Sequence, residues 1–281
     1  MYWPAIVYNF SFIFVLVHMM QNVLNYGYGR TYCTAERIIR MNIAMMTDPG
    51  LSARIPNNDL YEILRDEILS LRLVPGSLLS ENAVCKRFNI SRTPVRGVFE
   101  RLRTDGFLEV IPKKGTFVTL IDLDLAEQII YMRLQVEMDV MAQLAARPNP
   151  QLLEKLARNL EHQKLQLELG IVDDEFFRTD SKFHELCMIT VGKYKLWQLI
   201  QHMGVHYSRY QRMDYKGGRQ FDILYREHLE LYEALRRGDA ASLRALLTAH
   251  LYGGILRAGG RLATEYAGYF ADTARSIDEI V

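Results

Sequence analysis

The chain has 281 residues, of which 49% are apolar and 24% charged, and its formal net charge is +1. This composition excludes an intrinsically disordered protein, and the length is sufficient for two domains with separate cores. The three cysteines, Cys33, Cys85 and Cys187, lie far apart in the sequence. Their odd number and wide spacing exclude a disulfide framework and a zinc knuckle, and are typical of a protein in a reducing cytoplasm.

Residues 1–50 differ in composition from the rest of the chain. No Lys, Arg, Asp or Glu precedes Arg30, and the stretch from Trp3 to Leu24 is largely apolar. Polar residues and a proline interrupt this stretch, whereas a transmembrane helix needs about 20 predominantly apolar residues. A signal peptide would need a basic beginning, which is absent. Three interpretations remain open: a weak membrane anchor, a poorly ordered extension, or a leader that results from a start codon assigned too early. We favour the last, with Met45 or Met46 as the first residue, and expect no membrane partner.

Residues 51–121 have the pattern of a small helical domain. An amphipathic helix that begins near Leu60 ends before Pro75-Gly76 and is expected to support the helices that follow. Ser80 is a good N-cap for a second helix, which runs through Phe88. The sequence Asn89-Ile90-Ser91 then interrupts the apolar pattern. The next helix is expected to begin at once, so this arrangement predicts a helix, a tight turn and a helix.

The helix after this turn is predicted to begin at Ser91 and to end near Asp105-Gly106. It tolerates Pro94 because the first turn of a helix has no intrahelical partner for the missing N–H group. Arg92 and Arg96 lie four residues apart near its beginning, away from the apolar stripe. A recognition helix contacts base edges from this end, and arginine can bind the O6 and N7 atoms of guanine. The apolar stripe consists of Val95, Val98, Phe99 and Leu102.

Two β-prone runs follow, 107–111 and 116–120, around Pro112-Lys113-Lys114-Gly115. They predict a hairpin, or wing, whose lysines reach the sugar-phosphate backbone. From Asn82 to Lys114 there are eight Lys or Arg residues and three acidic ones, a local surplus of five positive charges in a chain of net charge +1. Since the positive charge is concentrated on the predicted turn, helix and wing, these residues indicate DNA binding.

The motifs SRTPVR, RLRTDGFLEV and PKKGTFV resemble the winged helix-turn-helix of the GntR family of bacterial transcription regulators, over residues 57–120. The resemblance implies that Arg92 and Arg96 contact bases of a double-stranded operator. It further implies that Arg101 or Arg103 contacts phosphate and that the wing lies against the DNA. The candidate DNA-binding residues are therefore Arg92, Thr93, Arg96, Arg101, Arg103, Lys113, Lys114 and Gly115.

Residues 122–281 are predicted to be helical throughout. Caps and helix breakers divide them into segments that begin at Asp122 or Asp124, Gln151, Asp173, Tyr194, Gln220 and Asp239. The fourth segment is expected to run to Met213 and the sixth to about Arg257, and the amphipathic tail from Arg261 is a possible seventh. Helices joined by short loops form antiparallel bundles. The predicted fold is therefore mainly α: an N-terminal winged helix-turn-helix with a small β wing, and a C-terminal antiparallel bundle of six or seven helices.

Four residues of this bundle form a candidate metal site. Asp180 and His184 are four residues apart, so both lie on one face of the third helix. His228 and His250 lie in the middle of the fifth and sixth helices, which a bundle can bring to the same depth. One carboxylate and three imidazoles suit zinc, nickel or manganese. Each residue alone is also compatible with an ordinary surface or core position.

The segments DSKFHEL, EHLELYEALRRGD and LLTAHL resemble the FCD domain, the ligand-binding domain of the FadR-type branch of the same family, over about 123–257. The resemblance implies that Asp180, His184, His228 and His250 bind a divalent metal. It also implies that Arg133, within MRLQVEMDVMAQLAAR, meets the carboxylate of an effector, with Arg209 as a second candidate. The alternative for Arg133 is an ion pair with Glu137, four residues later.

A metal with open coordination positions can also activate water, so a hydrolase-like enzyme is the competing class. The motif HExxH is absent, and no acidic residue or histidine is placed in sequence as an obvious general base. A metal-free ligand-sensing regulator is the remaining alternative. We therefore predict a cytoplasmic transcription regulator and not an enzyme: a homodimer that binds a palindromic operator and responds to a small organic acid at a divalent-metal site.

Overall fold

The computed structural model describes residues 57–170, 174–215 and 221–271. The three interpretations of residues 1–50 therefore concern residues outside the described ranges. The chain divides into two units after Ile63, and the residues of both candidate sites lie within Leu64–Val281. The described ranges contain ten α-helices and one two-stranded antiparallel sheet, which confirms the predicted mainly α fold. No described helix is long and apolar enough to cross a membrane.

The elements follow one another in the order of the prediction. They are α1 (Asn57–Leu69), α2 (Glu81–Phe88), α3 (Arg92–Thr104), β1 (Leu108–Ile111), β2 (Gly115–Val118), α4 (Leu123–Ala146), α5 (Pro150–Glu168), α6 (Asp174–Thr190), α7 (Tyr194–Met203), α8 (Val205–Tyr215), α9 (Phe221–Arg237), α10 (Ala240–Glu265) and a 3₁₀ turn (Ala267–Tyr269).

Local signals define the helix-turn-helix. The hydroxyl of Ser80 accepts a hydrogen bond from the N–H of Ala83, which caps α2 as predicted. Asn89 ends α2 in the left-handed conformation, with φ 52°, which asparagine tolerates better than most residues. The helix α3 begins directly after Ser91, and its predicted apolar stripe, Val95, Val98, Phe99 and Leu102, is buried.

The wing is a tight hairpin in which Leu108 pairs with Val118. Its turn has Pro112 in the second position and Lys113 with φ 65° in the third, and the N–H of Lys114 donates to Ile111 O at 3.0 Å, as in a type II turn. Gly115 has φ 126°, and a Cβ atom there would lie 2.8 Å from a methyl carbon of Leu78. The positive φ therefore favours glycine at position 115, whereas the exposed Leu78 side chain could move aside, and the hairpin presents its two lysines at its tip.

The helix α4 is central to the C-terminal helices, because it packs against α6, α8, α9 and α10. The carboxylate of Asp122 caps it by accepting from the N–H of Leu125 at 3.0 Å, as expected. Gly238 adopts φ 69° after α9, and the next residue, Asp239, accepts from the N–H of Ser242 at 3.2 Å at the beginning of α10. These caps hold the long helices in register, so that residues far apart in sequence meet at one depth.

Two helix boundaries differ from the prediction. The expected single helix from Tyr194 to Met213 is broken at Gly204, which separates α7 from α8. A Cβ atom at 204 would lie 3.1 Å from Ile200 O, so the backbone approaches closely there. The expected break after Arg257 is absent, because α10 continues to Glu265. As far as Ile255 its apolar side chains are buried, and this burial offsets the low helix propensity of Gly253 and Gly254.

Replacing Gly97 by alanine should stabilise the protein. Gly97 lies in the middle of α3 on the exposed side, and an added Cβ atom would meet nothing within 4 Å. Because alanine exceeds glycine in helix propensity by about 0.8–1 kcal/mol, we expect a gain of that size in the free energy of unfolding. Urea unfolding of both proteins measures it. Gly115→Ala is the matched control and should be destabilising, because its φ of 126° is strained for any residue with a Cβ atom.

Candidate metal centre and nucleic-acid interface

The four predicted ligand residues meet inside the helical domain. Asp180 and His184 come from α6, His228 from α9 and His250 from α10, and all four are buried. One ligand atom from each lies within 4.8 Å of the others. Nε2 of His184 is 3.0 Å from Nε2 of His250 and 3.4 Å from Nε2 of His228. Nε2 of His228 also lies 3.5 Å from Oδ1 of Asp180. The antiparallel helices thus bring three distant segments to one point.

The other ring nitrogen of each histidine has its own acceptor. Nδ1 of His184 lies 2.6 Å from a carboxylate oxygen of Glu137, and Nδ1 of His250 lies 3.0 Å from one of Glu227. Nδ1 of His228 lies 2.9 Å from Oε1 of Gln163. Since carboxylate and amide oxygens only accept hydrogen bonds, each Nδ1 carries the proton. This is the arrangement that fixes the ring and tautomer of metal-binding histidines.

The three Nε2 atoms consequently present lone pairs to one another. Oδ1 of Asp180 is buried without a hydrogen-bond donor and adds a further acceptor. Acceptors that converge in this way repel each other unless a cation lies between them. Two nitrogens at about 2.1 Å from a metal lie about 3.0 Å apart at a right angle and about 3.4 Å apart at the tetrahedral angle. The observed separations agree with both, so these residues fit a divalent metal.

Electrostatics favour neutral histidines beside an ionised carboxylate. Burial lowers the pKa of His184 and, together with the neighbouring imidazoles, lowers that of His228 well below the ordinary value. Burial alone would raise the pKa of Glu137, but the charge of Arg133 and the imidazole of His184 outweigh it and lower this pKa to about 2. The rings of His184 and His228 are therefore ready for metal ligation at neutral pH, since imidazole must be deprotonated to bind.

Arg133 is buried next to this cluster and forms the ion pair with Glu137 that was the alternative prediction for it. Its Nε donates to Glu137 at 2.7 Å, which is the expected pair four residues apart, and its Nη1 donates to the hydroxyl of Tyr207 at 3.2 Å. Its Nη2 is buried and has no hydrogen-bond partner. A buried donor left unpaired costs about 1–3 kcal/mol, so this nitrogen is suited to an anionic ligand.

Arg209, the second candidate for the effector, is not brought to the cluster. It is fully buried, and its guanidinium donates to the main-chain oxygens of Thr119 and Leu120. A helix turns about 100° per residue, so Arg209 points about 200° away from Tyr207, the α8 residue that contacts Arg133. Its observed contacts belong to the chain segment between the wing and α4.

The candidate DNA-binding residues form an exposed face on α3 and the wing. Arg92, Thr93, Arg96, Lys113 and Lys114 are exposed. Neither Arg92 nor Arg96 makes a hydrogen bond or ion pair within the described part of the chain, so both guanidinium groups are available to a ligand.

The two other arginines of α3 have acidic partners on the same helix or at its end. Arg101 lies 4.0 Å from Asp105, and Arg103 donates to Glu100 at 3.1 Å through Nε. The Arg103–Glu100 pair is exposed, and exposed ion pairs are weak enough to exchange for phosphate contacts. In the other pair Arg101 is exposed, whereas the side chain of Asp105 is 12% exposed.

The groups that orient the histidines were not identified from the sequence as part of the site. Glu137 appeared only as a partner for Arg133, and Glu227 lay in the segment EHLELYEALRRGD without an assigned role. Neither Gln163 nor Tyr207 belonged to a recognised motif. Helical spacing gives no signal for them, because their partners lie 23 to 74 residues away.

The sequence matches two protein-family models. Residues 56–118 match the model "Bacterial regulatory proteins, gntR family", and residues 128–253 match the model of the FCD domain. The HTH-type transcriptional repressor RspR of Escherichia coli (strain K12) is 30% identical over 195 residues, which cover 69% of this chain and 85% of that protein. An HTH-type transcriptional regulator in an unstable DNA locus of Streptomyces ambofaciens is 30% identical over 201 residues, covering 71% and 84%.

A solved structure has the same fold. Escherichia coli McbR/YncC superimposes with a TM-score of 0.61 at 20% sequence identity, covering 75% of this chain and 98% of that one. At this identity the likeness concerns the fold alone.

Proposed function

Because this chain belongs to the GntR family of bacterial regulatory proteins and carries an FCD domain, it is a DNA-binding transcription regulator and not an enzyme, and we propose that a small carboxylate effector controls it at a divalent-metal site. In this proposal residues 51–121 form the DNA-binding domain and residues 122–281 the sensing domain. The protein works in the cytoplasm as a homodimer on a palindromic operator. Dimer symmetry matches operator symmetry when the half-sites are about one helical turn apart.

The main support for a metal site is that hydrogen-bond acceptors converge at one place without a donor. Three Nε2 lone pairs and Oδ1 of Asp180 face a common point, and the Nδ1 atoms are already paired with Glu137, Gln163 and Glu227. Nitrogen and oxygen ligands of this kind suit zinc, nickel or manganese. Four protein ligands leave open positions when the coordination number is five or six.

A carboxylate is the effector chemistry that the site favours. A divalent ion held by these residues supplies a positive charge that attracts a carboxylate. Arg133 offers its unpartnered Nη2 in the same buried region, and its other nitrogens are held by Glu137 and Tyr207. The guanidinium is therefore pre-oriented, which reduces the entropy lost when the ligand binds.

The hydrolase alternative is not favoured. The relatives are transcription regulators. Within the described residues, the two glutamates that contact the cluster, Glu137 and Glu227, each accept from an Nδ1 atom of a candidate ligand. Neither is free to take a proton from a metal-bound water, as a general base must.

Elemental analysis and ligand-dependent melting test the proposal. Protein purified without chelator should contain one divalent metal per subunit. Small mono- and dicarboxylates should raise the melting temperature of the metal-loaded protein, whereas the corresponding amides should not. After treatment with chelator the carboxylates should have no effect. Absence of metal together with carboxylate-dependent melting would support the metal-free alternative, and absence of both would contradict a sensing role for this site.

A further inference from the structure

The helix α8 contacts the metal-centre region with one face and the linker, residues 119–122, with the opposite face. On the first face, the hydroxyl of Tyr207 accepts hydrogen bonds from Arg133 at 3.2 Å and from Gln211 at 2.7 Å. On the other face, His206 and Arg209 contact the linker, which joins β2 of the wing to α4. The helix therefore lies between the two regions, and a displacement of one face moves the other.

Arg209 fixes the beginning of the linker. Its Nη2 lies 3.1 Å from the hydroxyl of Thr119 and 3.3 Å from Leu120 O, and its Nη1 donates to Thr119 O. The guanidinium is 0% exposed, and its partners in the described part of the chain are uncharged. Because a buried charge without a carboxylate is expensive, a role in holding the linker accounts for an arginine at this position.

The end of the linker is held as well. Nδ1 of His206 accepts the N–H of Asp122 at 3.0 Å, at the N-cap of α4. The N–H of Ile121 donates to Tyr269 O at 2.8 Å, and Ile121 O accepts from the N–H of Ala271 at 2.9 Å. Each linker residue thus has a backbone group fixed by α8 or by the segment after α10.

A continuous series of buried hydrogen bonds joins a candidate metal ligand to α8. Nδ1 of His184 lies 2.6 Å from Glu137, the other carboxylate oxygen of Glu137 accepts from Arg133 at 2.7 Å, and Arg133 donates to Tyr207. All four side chains are at most 6% exposed. A change at His184 or Arg133 is therefore passed on by short contacts between closely packed groups.

We propose that Arg209 is a positioning residue through which α8 transmits the state of the metal centre to the linker, and so determines how the DNA-binding domain is held. This inference rests on the proposed function, because it requires that a metal or an anionic ligand acts on His184 or Arg133. Occupation of the centre changes the hydrogen bonds of Glu137 and Arg133, Tyr207 follows Arg133, and α8 moves as one body. The main-chain oxygens of Thr119 and Leu120 then move with the guanidinium of Arg209.

The test uses the full chain, zinc as the probe, and a duplex that the zinc-free protein selects from a random DNA pool. For the wild type, the dissociation constant for this duplex should differ at least about fivefold between zinc-loaded and chelator-treated protein, the lower end of ordinary coupling. For Tyr207→Phe and Arg209→Met the ratio should fall below about twofold, although calorimetry shows zinc binding at wild-type affinity. Arg209→Lys should restore part of the ratio, because an ammonium group still reaches carbonyl oxygens. The control Ser208→Ala lies on the same helix and should keep the full wild-type ratio.

The outcomes separate this inference from the proposed function. If zinc binds but does not change DNA affinity in the wild type, or if Tyr207→Phe and Arg209→Met keep the wild-type ratio, the role of Arg209 is wrong and the metal site stands. If no zinc binds, the proposed function fails. In that case, hydrogen exchange of the Ile121 and Asp122 amides in the ligand-free protein tests whether Tyr207 helps α8 to hold the linker. Tyr207→Phe should accelerate this exchange, and Ser208→Ala should not. Equal exchange in both variants would overturn the inference.

Discussion

Replacing His228 by alanine should abolish most of the stabilisation that metal confers on this protein. An ion that binds only the folded state stabilises it by RT ln(1 + [L]/Kd), which is about 2.7 kcal/mol at a hundredfold excess over Kd. If loss of one of four ligands weakens binding about a hundredfold, the same metal concentration stabilises the variant by only about 0.4 kcal/mol. Melting curves with zinc and with chelator measure both values.

Melting temperatures with zinc and with chelator must be compared within each variant, because His228 also has a structural role. Its ring stacks on Phe183 at 4.5 Å between centroids, so alanine leaves a cavity and lowers the melting temperature even without metal. The informative quantity is the change that zinc causes. His162→Ala is the matched control, since His162 is a partly buried histidine outside the cluster. An unchanged zinc effect in His228→Ala would show that His228 is not a ligand.

Replacing Arg92 or Arg96 by alanine should weaken operator binding by about 1–3 kcal/mol each and relax the preference for sequence. Both side chains are exposed on α3 and make no hydrogen bond or ion pair in the described part of the chain. Within the protein, Arg96 acts on Glu100 through its charge alone, so truncation removes mainly contacts with DNA. A footprint followed by titrations against the operator and against scrambled DNA measures the effect on affinity and on specificity. Undiminished specificity in the double variant would disprove the assignment of α3 as the recognition helix.

Lys114→Ala is the contrasting variant for the same experiment. Lys114 is exposed at the tip of the wing and is predicted to contact phosphate. Its removal should weaken binding to operator and scrambled DNA alike, and should reduce the slope of log K against log salt by about one. A loss confined to the operator would place this lysine at a base edge instead.

Local features of this fold were predictable because their causes lie within a few residues. The caps at Ser80 and Asp122 follow from side chains that accept a hydrogen bond three residues later, and the buried stripe of α3 follows from the helical period. The break at Gly204 and the continuation of α10 to Glu265 were not predictable. Glycine occurs in both places, so its presence alone does not decide whether a helix ends.

The sequence alone determined which residue types are available at the candidate metal centre. Asp180 and His184 share a helix face by their spacing, and the family resemblance added the histidines of two later helices. Only the tertiary structure decided their chemistry. The acceptors that fix each tautomer, such as Glu137 for His184, lie on other helices, and their distances depend on how those helices pack. The same reason separates the two buried arginines: Arg133 keeps a free nitrogen beside the cluster, whereas the turn of α8 directs Arg209 to the linker. Sequence spacing specifies positions along one helix, and therefore the Arg133–Glu137 pair, but the other contacts of a buried side chain depend on which segments pack against its helix.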